Sequence, residues 1–157
     1  MKTENLTNGL FTDYYKNGQI RVEGNYTDGK RAGKWAWWNE SGQKDSEIYY
    51  KDGKCHGKWT WWYENGQKKL EGNYKDDNRD KKWIFWHNNG QKDSEIYYKD
   101  GKCYGKWTWW YENGQKKQEG NYLDGKWHGK WFFWHYSGQK KPTRDYKEGD
   151  LIINPNY

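Results

Sequence analysis

Aliphatic side chains are nearly missing from this 157-residue chain, in which Ala, Val, Ile and Leu together number 14. That scarcity excludes an ordinary aliphatic core. No run of 18 apolar residues occurs, which excludes a transmembrane helix. The opening Met1-Lys2-Thr3-Glu4-Asn5 carries no apolar stretch, so no secretory signal is expected. Only 32% of residues are hydrophobic, and the mean hydropathy of -1.62 would by itself suggest disorder. The aromatic content argues the other way. There are 14 Trp, 15 Tyr and 4 Phe, and one aromatic side chain buries roughly 150–250 Å². Rings can therefore order this chain where aliphatics do not. With 28 Lys+Arg against 22 Asp+Glu, the net charge is +6.

The rings recur with a fixed period. Gly-Gln appears at Gly18-Gln19, Gly42-Gln43, Gly66-Gln67, Gly90-Gln91, Gly114-Gln115 and Gly138-Gln139, always 24 residues apart. Tyr26, Tyr50, Tyr74, Tyr98, Tyr122 and Tyr146 keep the same phase, as do Trp pairs from Trp35/Trp38 to Trp131/Trp134. A period of 48 overlies this one. Residues 41–76 match 89–124 except at Ser41/Asn89, His56/Tyr104, Leu70/Gln118 and Lys75/Leu123. A duplicated two-repeat block accounts for it, with no linker between copies. Repeats of this length mean a stacked architecture.

Each unit reads as two strands and two turns. Lys58-Trp59-Thr60-Trp61-Trp62-Tyr63 is aromatic or β-branched, and frequent glycine disfavours helix. Asn65-Gly66 predicts a two-residue type I′ hairpin. The segment from Asp52 to Gly57 reads as a wider turn. Counting from Asn65-Gly66 pairs Trp61 with Leu70 and Trp59 with Gly72. Alternation then gives one face of Trp59, Trp61, Tyr63, Leu70, Gly72 and Tyr74, with glycine gaps for the rings. The opposite face is charged, with one Trp per repeat, and is expected to be mostly solvated. The expected fold is all-β: an elongated single-layer antiparallel β-meander solenoid of six 24-residue two-strand repeats, about twelve strands. The domain reading is a single one over 1–157, with a cap strand at 9–18, repeats at 19–146 and a cap or tail at 147–157. Pro142 breaks the strand pattern, and Leu151-Ile152-Ile153 reads as a last short strand or plug.

The run Asn65-Gly66-Gln67-Lys68-Lys69, with Glu71-Gly72-Asn73-Tyr74, Asp100-Gly101-Lys102 and Gly105-Lys106-Trp107, resembles the MORN repeat in its bacterial and viral variant form. The likeness spans about residues 9–149. It implies a twisted single-layer sheet, protein–protein scaffolding and acidic-phospholipid binding, and some bacterial members are labelled antitoxins. In the third unit Asp76-Asp77-Asn78-Arg79-Asp80-Lys81 replaces the usual Asp-Gly-Lys-x-x-Gly, which predicts an altered central turn.

No catalytic constellation is read in the sequence. His87 and His135 take the ring slot of Tyr63 and Tyr111. His56 and His128 have no ligand spacing around them, so no metal site and no cofactor are expected. Cys55 and Cys103 fall on equivalent turns and read as free thiols. The candidate partner-binding row is Trp38, Trp62, Trp86, Trp110 and Trp134 on the charged face. By the same count Trp62, Trp110 and Trp134 face Lys69, Lys117 and Lys141, while Trp38 and Trp86 face Asp45 and Asp93. The leading expectation is a non-catalytic, cytoplasmic protein-binding scaffold, antitoxin-like by resemblance, able to self-associate through sheet edges. Anionic lipid or nucleic acid comes second, with nucleic acid disfavoured because Asp and Glu alternate with Lys. Carbohydrate or choline recognition by the Trp rows comes third.

Overall fold

The computed structural model describes residues 7–152. Its secondary structure is all-β, an antiparallel meander of fourteen strands without a helix among the described residues. By internal contacts the chain divides into two compact units after Asn78. The first unit holds β1 (Gly9–Tyr14), β2 (Ile20–Thr27), β3 (Lys30–Trp38), β4 (Lys44–Lys51), β5 (Lys54–Trp62) and β6 (Lys68–Lys75). The second holds β7 (Asn78–Trp86, from Arg79 onward), β8 (Lys92–Lys99), β9 (Lys102–Cys103) and β10 (Gly105–Trp110). It continues with β11 (Lys116–Leu123), β12 (Lys126–Phe133), β13 (Arg144–Lys147) and β14 (Asp150–Leu151). The count passes the expected twelve for two reasons. Tyr104 separates β9 from β10, and β14 forms a short terminal hairpin with β13. Of the predicted last strand, Leu151 belongs to β14 and Ile153 lies outside the described residues.

The turns reverse the expectation. Tight two-residue hairpins form at Asp-Gly, where both central residues are left-handed: Asp52 at φ 52° with Gly53 at 82°, and Asp124 at 49° with Gly125 at 81°. Positive φ at both positions is the signature of a type I′ turn. Asn65-Gly66 makes the wider turn instead. Tyr63 N–H donates to Gln67 O at 2.8 Å and Gly66 N–H to Tyr63 O at 2.9 Å, which leaves three loop residues ending in a left-handed glycine. That loop carries a bulge with it. Asn65 Oδ1 accepts the Gln67 N–H at 3.0 Å, so the asparagine closes the loop through its side chain. Trp59 pairs with Gly72 and Trp61 with Leu70, as counted, but Trp62 pairs with Lys68. The same one-residue slip falls between Trp37 and Trp38, Phe85 and Trp86, and Trp109 and Trp110.

The central turn keeps its shape on other residues. Asp76 and Asp77 are left-handed at φ 49° and 67° without any glycine. Lys81 likewise holds φ 59° where the other repeats place Gly33, Gly57, Gly105 and Gly129. Asp tolerates that region better than most residues. Turn tips are also tied to the preceding repeat. Within the first unit Gly53 N–H donates to Arg31 O and Asp77 N–H to Cys55 O, both at 3.0 Å. Within the second, Gly125 donates to Cys103 O and Gly149 to Trp127 O, both at 2.9 Å.

The core is a row of rings laid on glycine. Trp35, Trp83 and Trp131 are 1%, 0% and 0% exposed. A Cβ added at Gly24 or Gly120 would lie well inside van der Waals contact of the Trp35 or Trp131 ring, so the ring needs the missing side chain. Trp59, opposite Ile48, stays half-buried. The first ring of the motif is thus fully buried in alternate repeats, at Trp35, Trp83 and Trp131, and half-buried at Trp59 and Trp107, as Trp61 also is. Lids complete the packing. Arg31 sits 4.6 Å over Trp35 and Arg79 sits 4.5 Å over Trp83. Trp127 stacks on Trp131 with ring centroids 3.9 Å apart. Cys55 and Cys103 occupy the equivalent repeat positions, inside β5 and β9 and half-buried instead of on exposed turns; both are free thiols.

Candidate functional site

The face that carries the Trp row is built on the bulged register. Trp38 pairs with Lys44 and Trp62 with Lys68 in the first unit. In the second, Trp86 pairs with Lys92, Trp110 with Lys116 and Trp134 with Lys140. All five indoles are half-buried. Lys44 Nζ lies 5.9 Å from both the Trp38 and Trp62 rings. Lys92 is 5.3 Å over Trp110 and Lys116 is 5.6 Å over Trp134. At those distances an ammonium is attracted by the ring quadrupole.

This register corrects the predicted partners. Lys69, Lys117 and Lys141 do not face the row; the bulge puts them one step out of register. Lys69 is carried to the aromatic face, 4.0 Å over Trp61 and 5.5 Å from Tyr63. Lys117 lies 4.2 Å over Trp109. Lys141 N–H donates to Phe133 O at 2.8 Å. Asp45 and Asp93 are likewise turned to the aromatic face, where they accept the indole N–H of Trp61 and Trp109. Each of these indoles is thus held by a carboxylate from one repeat and covered by an ammonium from the next.

Beside the Trp row runs a column of carboxylates. Glu47 takes Lys44 at 2.8 Å and Lys34 at 3.3 Å, and Glu71 takes Lys68 at 2.7 Å and Lys58 at 3.1 Å. In the second unit Glu95 takes Lys82 at 2.7 Å and Lys92 at 2.9 Å, and Glu119 takes Lys116 at 2.8 Å and Lys106 at 3.2 Å. Partial burial raises these carboxyl pKa values, yet the paired Lys hydrogen bonds together outweigh it and hold all four below the usual Glu range. Two ammoniums per carboxylate leave the face positively charged. Its floor is dry, against expectation: Ala36, Thr60 and Thr108 are buried beneath the long side chains. Lysine stems cover such a floor while the charged heads stay in water.

In the second unit this face opens into a pocket of about 440 Å³ lined by Tyr97, Tyr104, Lys106, Thr108, Trp110 and Lys116, with Glu95 and Glu119 on its sides. Of these residues only Trp110 was singled out from the sequence. The signal present there was the exchange of His56 for Tyr104 between the duplicated blocks. His87 Nε2 approaches Trp110 O at 3.1 Å, the contact that Tyr111 Oη makes to Trp134 O at 3.0 Å, so ring replaces ring. Among the described residues no group of three or more His, Cys, Asp or Glu could hold a metal ion.

The repeat itself decides the family. The profile of the MORN repeat variant matches residues 7–28, 31–52, 56–76, 79–100 and 104–124. The chain belongs to the MORN repeat variant family. Families of this kind are generally non-catalytic repeat scaffolds. In this MORN protein the period continues past the matched segments, since Trp131 in β12 repeats the buried position of Trp35. None of the curated proteins matches the chain. A chain of a crystal structure described as the GtfA/B complex bound to UDP and GlcNAc is similar over 92% of this chain and 24% of its own length. Its identity is 15% and its TM-score 0.28, a likeness that carries no argument.

Proposed function

We propose that this MORN protein is a non-catalytic, cytoplasmic scaffold that binds another protein through the Lys/Trp face. The observation that carries this reading is the row of half-buried indoles braced by ammoniums over a dry floor. Trp is enriched among residues that dominate binding energy, and an indole fixed before binding loses little freedom when a partner arrives. By resemblance to the bacterial members labelled antitoxins, a toxin is one candidate partner, and a gene neighbour encoding one would support it.

The test is affinity capture on the immobilised chain, followed by calorimetry with the purified captured protein. Trp110→Ser should weaken that complex by about tenfold or more, while its melting temperature stays within a few degrees of the parent. Loss of no affinity from any member of the Trp row would remove the face from the reading. The excess of Lys over Glu also favours an anionic lipid surface as a second reading. Sedimentation with phosphatidylserine vesicles, lost steeply with added salt, would support that one.

A further inference from the structure

We propose that the pocket of the second unit is the recognition point of this scaffold for an acidic peptide segment, which seats one aromatic side chain between Tyr97, Tyr104 and Trp110 and lays flanking carboxylates on Lys106 and Lys116. This rests on the protein-binding reading above and gives the partner its chemistry.

The walls select a ring. Three aromatic side chains and the buried Thr108 help line an open depression of about 440 Å³, and rings pack against rings in edge-to-face or offset geometry. The rim selects negative charge. Lys106 and Lys116 line the pocket with Glu95 and Glu119, and Lys82 and Lys92 pair with Glu95 from outside the lining, so ammoniums outnumber carboxylates four to two. An ammonium has three donors, and each of these gives one to a glutamate, so each retains capacity for a second anion. The same geometry rejects the other guests. A quaternary ammonium suits an aromatic cage, but here it would lie against Lys106 and Lys116, with Lys82 and Lys92 behind Glu95. A stacked nucleobase needs an open ring face, and Lys92 lies 5.3 Å over Trp110 while Lys82 lies 5.9 Å over Tyr97. A carboxylate approaching those ammoniums displaces nothing.

The first unit supplies the natural comparison. Lys58, Lys68, Glu47 and Glu71 repeat the charges there, and Tyr49 and Trp62 repeat two of the rings. At the place of Tyr104 stands His56, whose Nδ1 is 3.4 Å from Asp76 Oδ1. Tyr104 is therefore the residue that distinguishes the two places. Its N–H donates to Tyr97 O at 2.9 Å, where the strand is interrupted.

The experiment titrates the full chain into a fluorescein-labelled peptide of alternating Glu and Tyr, read by anisotropy at about 150 mM salt. Saturable one-to-one binding is expected. Lys106→Glu with Lys116→Glu should weaken it by about tenfold or more. Tyr104→His should weaken it by about fivefold, and His56→Tyr should raise the stoichiometry to two. Melting curves of each variant separate lost binding from lost fold, and the His56→Tyr gain cannot arise from unfolding. Three results would overturn the proposal: no saturation, equal affinity for a Glu/Ser peptide, or displacement of the peptide by oligouridylate at lower concentration. If the peptide fails while a captured protein still needs the Trp row, the pocket assignment falls and the scaffold stands. If the peptide binds as described but no protein is captured, it is the scaffold reading that lacks its partner.

Discussion

The duplicated blocks, 41–76 in the first unit and 89–124 in the second, are an internal experiment with four substitutions. Where the residues agree, the contacts repeat closely. Lys69 sits 4.0 Å over Trp61, and Lys117 sits 4.2 Å over Trp109. The Lys44–Glu47 distance is 2.8 Å and the Lys92–Glu95 distance 2.9 Å. Where the residues differ, the effect is local. Leu70 is buried opposite Trp61, while Gln118 is half-buried opposite Trp109. β5 runs unbroken through His56, whereas Tyr104 splits the equivalent arm into β9 and β10. The backbone path is set by turns, bulges and the Trp-on-glycine core, which the blocks share. The surface is free to diverge, and binding chemistry can differ between units at little structural cost.

The largest expected effect tests the shared part. Gly24→Ala and Gly120→Ala each push a methyl into a fully buried indole that has no room to retreat. Each should lose about 3 kcal/mol by chemical denaturation. A loss in one unit alone would show that the two cores are not equivalent.

Next comes the divergent pair. Leu70→Gln buries an amide where the first unit has an aliphatic side chain, and should cost about 1–3 kcal/mol. The reverse change, Gln118→Leu, should gain about 0.5–1 kcal/mol. If both changes were neutral, burial at this column would not distinguish the units, and the exposure difference would have no energetic meaning.

These positions also mark what could be read from the chain. Ring against glycine was legible, because counting from Asn65-Gly66 as a two-residue loop places Trp59 opposite Gly72, and the bulge takes up the extra loop residue, so the count holds although the turn type differs. The turn types were not. Asn-Gly and Asp-Gly share the same tolerance of left-handed φ, so the dipeptide alone could not tell a two-residue loop from a three-residue one. That one residue decided the site: the bulge between Trp61 and Trp62 carries Lys69 to the aromatic face and brings Lys68 beside the Trp row. The pocket was beyond reach for another reason. Tyr97, Tyr104 and Trp110 come from β8, the β9–β10 break and β10, and no spacing within one repeat predicts that they share a wall.

A smaller effect is expected where the second unit departs from the repeat. Lys81 is left-handed at φ 59°, where four other repeats use glycine. That conformation costs a non-glycine residue roughly 1–2 kcal/mol, against about 0.5–1 kcal/mol of extra chain entropy lost by glycine. Lys81→Gly should therefore stabilise the chain by about 0.5 kcal/mol, and the converse Gly105→Lys should destabilise it. A loss of stability from Lys81→Gly would mean that the lysine side chain offsets its own backbone strain.

The smallest effect concerns the carboxylate column, on which the two units should agree. Glu47 and Glu71 in the first unit, and Glu95 and Glu119 in the second, have folded pKa values below the usual 4.5: burial works against the charge, but two Lys hydrogen bonds outweigh it. A carboxyl depressed in this way contributes its stability in full above the ordinary Glu range, and loses it as the pH falls through the lower folded value. Melting temperatures should hold from neutrality to about pH 5 and then fall on further acidification. Each exposed pair is worth only about 0–1 kcal/mol, so Glu47→Gln and Glu95→Gln should each remove a small and similar part of that acid-sensitive loss. Added salt should shrink the difference between each variant and its parent, because these pairs stand partly in water. The comparison breaks if Glu95→Gln costs clearly more than Glu47→Gln. The Lys82 and Lys92 contacts would then be stronger than their counterparts at Lys34 and Lys44, and the rim of the second unit would be more rigid than the first.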